Sequence, residues 1–241
     1  MPRHPPQSGD FIEGGRTLHY WNLSGSTISA PAQCTFAFSA KWGTLYGILT
    51  AGHCIPGNYG TGYAYPVNNH WVELWGPDYE SNNQTTKYDF QFHRTPGMKV
   101  YNTVEIINSA GSVDQWLYVW GTQPRSSQWV GYPICKYGRT TFYECFNLTD
   151  NNYYFVNEAG YSTGPWGYIQ ATRVIAQAGD SGGAVMDVPD GGYINARGII
   201  SRGGYNSGIG AYQMIYMPID YIDDVYPISI LYANGLQAWG G

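Results

Sequence analysis

Apolar and polar residues alternate in short runs along most of this chain, and the runs are separated by turn-forming residues. Cys34-Thr-Phe-Ala-Phe-Ser39 and Thr44-Leu-Tyr-Gly-Ile-Leu-Thr50 predict paired strands around a turn at Lys41-Trp42-Gly43. Trp71-Val-Glu-Leu-Trp75 and Tyr88-Asp-Phe-Gln-Phe-His93 alternate as half-buried strands do, with turn chemistry at Pro77-Asp78 and 81–84 between them. Further strands are predicted over 103–107, 116–120, 129–135, 141–145, 168–174, 184–186, 194–201 and 211–218. One stretch differs. From Asp220 to Asn234 the apolar residues fall at helical spacing, with Asp220 placed as an N-cap, Gly235 as a stop and Pro227 as a kink. Many short strands without intervening helices predict an all-β barrel or sandwich protein.

Composition agrees with that pattern. Of 241 residues, 32 are Gly, 23 Tyr and 9 Trp, whereas charged residues make up only 12%. Such a chain favours strands and turns, and its length suits one large all-β domain or two smaller ones. With 12 Lys plus Arg against 17 Asp plus Glu and no basic run, a nucleic-acid surface is not expected. No apolar run is long enough to span a membrane, so no membrane partner is expected. Residues 1–10 read as a flexible lead-in without the apolar centre of a secretory signal.

The four cysteines allow three pairings. The spacing of Cys135 and Cys145 reads as a hairpin closed by a disulfide, and Cys34 with Cys54 would join neighbouring strands. No Cys-x-x-Cys or His-x-x-x-His pair supports zinc, so no metal or other cofactor is expected. Disulfides place the chain in an oxidising, extracellular setting.

The stretch that carries chemistry is Gly179-Asp180-Ser181-Gly182-Gly183. A serine hydroxyl becomes a useful nucleophile only beside a base and with backbone N–H groups aimed at the developing oxyanion. The same residues fit the Gly-x-Ser-x-Gly elbow of α/β-hydrolases, in which the histidine follows the serine. Here all five histidines, His4, His19, His53, His70 and His93, precede Ser181, which sets that class aside. His53 follows an apolar strand, has small residues before it and adjoins Cys54.

Leu49-Thr-Ala-Gly-His-Cys54 together with the Gly179–Gly183 motif resembles the chymotrypsin-like serine peptidases. Cys135-x-x-Gly-Arg-Thr-Thr-x-Tyr-x-Cys145 and the ending from Pro227 to Leu236 are similar to the bacterial branch, the streptogrisins and α-lytic protease. The resemblance implies two packed six-stranded antiparallel β-barrels and a C-terminal α-helix over about 220–234. The N-terminal barrel, 11–115, would carry His53 and Asp89, and the C-terminal barrel, 116–241, would carry Ser181. It further implies a secreted, monomeric endopeptidase acting on polypeptides.

In that family an aspartate between the histidine and the serine orients the imidazole. Asp78, Asp89 and Asp114 are the candidates, and Asp89 is preferred because it opens an apolar strand. Gly179 and Ser181 would supply the oxyanion N–H groups. Asp180 would need a cationic partner: Lys136 stands where bacterial relatives have arginine, with Arg139, Arg173 or a freed amino terminus at Ile12 as substitutes. The family's extra disulfide near the serine is missing, with Ile175 in place of one cysteine. Ile175, Ala176 and Gln177 would face Ser201, Arg202 and Gly203 across the substrate pocket. No acidic residue is evident at its base, so an apolar or aromatic residue is expected before the cut bond. Arg202 would favour an acidic group on the substrate. Two other readings compete: an inactive peptidase homologue, and a carbohydrate-binding module using Trp71, Trp75, Trp116 and Trp120, for which core packing is the simpler account.

Overall fold

The computed structural model describes residues 3–4, 11–20, 32–54, 63–67, 70–74, 79–81, 88–156, 160, 162–224, 227–233 and 235–239. Strands dominate, as the alternation predicts. Pairing among the described residues gives three sheets and does not trace two separate six-stranded rings. One sheet runs Ile228–Ile230, Ser39–Trp42, Leu45–Thr50, Phe90–Arg94, Tyr79–Ser81, with neighbours antiparallel. Another joins Arg3–His4, His70–Leu74, Tyr63–Val67, Thr17–Tyr20 and Ala32–Thr35. Asp78 and Trp75 lie outside the described residues.

The third and largest sheet holds Tyr193–Asn206 beside Ala184–Met186, Ala211–Pro218 and Val113–Thr122. Val113–Thr122 also pairs with Lys99–Ile107, which in turn pairs with Phe11–Gly14. The division expected between 115 and 116 therefore falls inside one strand that both halves share.

Burial follows the pattern of alternation. Phe36, Phe38, Ile48, Leu49, Phe90 and Phe92 are buried together on the N-terminal side, and Trp166, Ile199 and Met217 belong to the same core. At ~25 cal/mol per Å² of apolar surface, each buried Phe stabilises the fold by about 2 kcal/mol. Phe90–Arg94 is buried on its polar face as well. There Gln91 and His93 hydrogen-bond to one another at 3.2 Å, which satisfies side chains that water cannot reach.

The helix expected over 220–234 is a single turn, Asp220–Asp223. Pro227 has no N–H for a helical ladder, and Ile228–Ile230 instead adds to the edge of Ser39–Trp42, with Ile230 opposite Ala40. That pairing buries Ile228 and Ile230, so tertiary contact overrides the helical spacing. Ile12 is buried in the Phe11–Gly14 strand opposite Val100, so no freed amino terminus there reaches Asp180.

Candidate active site

Thr50 ends a strand, and the chain turns through the short 3-10 segment Gly52–Cys54. Two contacts hold this turn. The Gln91 amide donates to the Gly52 carbonyl at 2.9 Å, and the Cys34–Cys54 disulfide ties it to the Ala32–Thr35 strand. His53 projects from it. Its backbone N–H donates to Asp89 Oδ1 at 2.9 Å, and its Nδ1 lies 2.9 Å from Oδ2 of the same carboxylate. On the other side of the ring, Nε2 lies 2.9 Å from Ser181 Oγ.

The structure thus brings His53, Asp89 and Ser181 into one hydrogen-bonded line. Asp114, by contrast, is exposed. Asp89 is fully buried and also accepts a hydrogen bond from the Ser201 hydroxyl. Burial alone would raise its pKa, but the His53 charge and the bonds from His53 and Ser201 hold the carboxyl below its ordinary range. For His53, burial opposes protonation and Arg202 repels the charge. The Asp89 carboxylate outweighs both and raises the imidazole above its ordinary value. The pair therefore favours an ionised Asp89 able to stabilise an imidazolium.

The Ser181 turn is fixed across the two halves of the chain by Thr35, which sequence reading did not single out. Its N–H donates to the Ser181 carbonyl at 2.8 Å and its hydroxyl to the Gly179 carbonyl at 2.8 Å. Gly182 is required here. Its φ is +83°, and a Cβ would come within 2.0 Å of Thr50 Oγ1 and 2.3 Å of the Thr35 carbonyl. The amides of Gly179 and Ser181 donate to no other described residue.

Asp180 is also fully buried, and its surroundings differ from every expected partner. Oδ1 accepts from the N–H groups of Thr140 at 2.7 Å and Thr141 at 3.0 Å. Oδ2 accepts from the Thr141 hydroxyl at 2.7 Å and the Gln177 N–H at 2.8 Å. Lys136 reaches the carboxylate only through Thr141, whose hydroxyl it donates to, and it also donates to the Phe142 carbonyl at 2.6 Å. Phe142 takes a left-handed φ of 56°, an uncommon conformation for a large side chain. Arg173 pairs with Glu144, and no Arg139 ion pair with Asp180 occurs among the described residues. The Cys135–Cys145 disulfide closes the hairpin that presents these groups.

The two walls expected to flank the substrate side chain touch. A Cβ on Gly203 would lie 2.3 Å from Ala176 Cβ and 3.0 Å from the Ala176 carbonyl, so the gap between them is closed at that level. Ile175 and Ala176 are buried, and Ser201 points to Asp89 rather than to the gap. The Arg202 guanidinium lies over the Phe155 ring, 5.0 Å from its centre. No cluster of metal-ligating side chains occurs among the described residues.

The trypsin family model matches residues 25–225. The chain is 26% identical over 238 residues to streptogrisin-C of Streptomyces griseus; the match covers 95% of this chain and 43% of that protein, so the chain spans less than half of that relative's length. In fold it is similar to a Nocardiopsis protease, with a TM-score of 0.63, 21% identity, and 91% and 98% of the two chains covered. The α-lytic protease homologue N4 superposes with a TM-score of 0.62 at 16% identity, covering 90% of this chain and 98% of its own. A motif pair in the expected order, an all-β fold of this kind and a family match across most of the length converge on one conclusion: the chain belongs to the trypsin family of serine proteases.

Proposed function

We propose that this protein is a secreted serine endopeptidase in which Ser181, His53 and Asp89 act together. The observation that carries the reading is the continuous line from Asp89 through both ring nitrogens of His53 to Ser181 Oγ, with 2.9 Å at each junction. Ser181 Oγ attacks the scissile carbonyl as its proton passes to His53 Nε2, and the carbonyl electron pair moves onto oxygen, held by the Gly179 and Ser181 amides. When the tetrahedral species collapses, the C–N bond breaks and His53 returns the proton to the leaving amine. Water then repeats the sequence on the acyl-enzyme. Asp89 stays ionised throughout and stabilises the imidazolium.

The contact between Ala176 and Gly203 narrows the expected preference. A small apolar residue before the cut bond asks the least of the two walls, whereas an aromatic one requires the 201–204 segment to move. Secretion is supported by the two disulfides. Treatment with an organophosphonate should add one covalent label at Ser181, detected by peptide mass analysis and absent in S181A. A folded protein that takes no label and cleaves no member of a mixed peptide library would overturn the reading.

A further inference from the structure

One face of the large sheet carries exposed aromatic side chains side by side. Along Phe11–Gly14, Lys99–Ile107 and Val113–Thr122, the residues Ile12, Val100, Val104, Leu117 and Val119 all point into the core. The alternate residues lie on the other face, where Glu13, Thr103 and Glu105 are buried, while in Val113–Thr122 Asp114, Trp116 and Trp120 are exposed and Tyr118 is half-buried. Core packing does not account for the two tryptophans, which are 50% and 51% exposed. Tyr118 lies beside Tyr193 of the adjoining strand with ring centres 5.7 Å apart, and Trp120 packs edge-on to the same Tyr193 at 5.2 Å. The result is an aromatic strip in which residues two apart along the strand are about 7 Å apart.

A cavity lies at each end of the strip. Phe11, Tyr101, Trp116 and Tyr118 wall one of about 270 Å³, with Glu13 and Arg16 also lining it. There Arg16 pairs with Glu13 at 3.0 Å and with Glu105 at 2.9 Å, and the Thr103 hydroxyl donates to Glu13. Trp120 and Tyr193 wall the other, of about 310 Å³, beside Asp187 and Asn195. None of His53, Asp89 and Ser181 lines either cavity.

We infer that this face binds an uncharged polysaccharide chain. Sugar rings present apolar C–H faces that pack on aromatic rings, and their hydroxyls donate to and accept from paired carboxylate and guanidinium groups. Val113–Thr122 pairs with Lys99–Ile107 over 113–118 and with Tyr193–Asn206 over 118–122, so a peptide adding as a strand would find only half of either edge open and would not run the length of the strip. A second copy of the chain would need ~800 Å² per partner for a stable interface, of which the two half-exposed indoles supply about 250 Å². The Arg16 guanidinium that lines the first cavity is enclosed by two carboxylates, so that cavity offers a polyanion no uncompensated charge. An occupant that is narrow, neutral and rich in hydroxyls meets all of these conditions, and it would hold the enzyme on a glycan-bearing substrate without touching Ser181.

The test is affinity electrophoresis of the full chain carrying S181A, in native gels cast with glycol chitin, hydroxyethylcellulose or arabinoxylan. At least one polymer should retard it. Replacing each tryptophan, W116A and W120A, should weaken retention by about three- to tenfold, and the double variant should run as in a polymer-free gel. In the background that retains Ser181, the double variant should keep its melting temperature and its rate on a small peptide, which separates loss of this face from loss of the fold or of peptidase chemistry. The inference is overturned if no polymer retards the protein, if the double variant is retarded as strongly as its parent, or if only a peptide mixture competes for the strip.

Discussion

Two buried carboxylates flank Ser181, and the molecule stabilises them by different means. Asp89 is satisfied by an ionisable partner, His53, together with the hydroxyl of Ser201 and the His53 backbone N–H. Asp180 is satisfied by four neutral donors, three of them backbone or hydroxyl groups at the tip of the 133–147 hairpin, and its lysine stands one hydroxyl away. A carboxylate facing an imidazole can respond when that ring gains a proton. One enclosed by fixed donors cannot, but it holds its loop in place. The first arrangement suits chemistry and the second suits geometry.

Exchange of each carboxylate for its amide should separate these roles. D89N leaves the shape but supports the wrong imidazole tautomer, and kcat/KM should fall by about 10⁴-fold with little change in melting temperature. D180N turns an amide N–H₂ toward at least one backbone N–H, which can only donate. It should lower stability by ~1–3 kcal/mol and, by displacing the Gly179 amide, reduce kcat by about 10²- to 10³-fold. Peptide hydrolysis and thermal unfolding of both variants provide the comparison, and equal stability losses would dissolve the distinction.

Next in size is T141V, which removes the hydroxyl linking Lys136 to Asp180 while keeping the Thr141 N–H contact. Unfolding should cost ~1–3 kcal/mol less, since Lys136 and one carboxylate oxygen both lose a partner in the interior. Activity should fall about tenfold, less than in D180N, because three donors to Asp180 remain.

The two sites also differ in how far they could be read from the sequence. Asp89 is marked by its strand: Asp-Phe-Gln-Phe alternates, and its first residue falls at a buried edge. His53 and Ser181 are marked by local motifs whose small residues create the space they need. The cage around Asp180 has no such mark. Thr140 and Thr141 lie about 40 residues before it, and only the folding of the hairpin tip onto the serine loop makes them its donors. Thr35 is invisible for the same reason, since its two bonds to the serine loop cross 144 and 146 positions. The sequence also misleads where tertiary pairing opposes local spacing, as at Ile228–Ile230, and where a strand that looks half-buried turns its tryptophans to solvent, as at Trp116 and Trp120.

Titration sharpens the comparison on the Asp180 side. Burial pushes Lys136 down from 10.5 to about 8, against the attraction of Asp180 and Glu144. Between those values the unfolded chain holds a proton that the folded chain has released, so stability should rise with pH from about 8, by at most ~1.4 kcal/mol per pH unit. Below pH 8 both states are protonated at this site and its slope vanishes. K136M should remove the slope, as followed by denaturant unfolding between pH 7 and 10. Above pH 10 buried tyrosines reverse the trend: Tyr137, held up at about 12 chiefly by burial, stays protonated in the folded chain while its unfolded counterpart ionises.

On the Asp89 side the smallest effect is also the most specific. His53 works as a base only when neutral, and its pKa is raised, so kcat/KM should fall as pH drops through a midpoint above that of a free imidazole. Arg202 opposes this rise by repelling the imidazolium. R202A should therefore move the acid limb to higher pH, leaving the plateau above it near the parent rate on an uncharged peptide. If Arg202 also recruits acidic substrates, the same variant should raise KM for a peptide bearing a glutamate near the cut bond, with no such change for its glutamine counterpart. A limb that moves to lower pH would mean that Arg202 acts on His53 through packing on Phe155, its ring neighbour, rather than through charge.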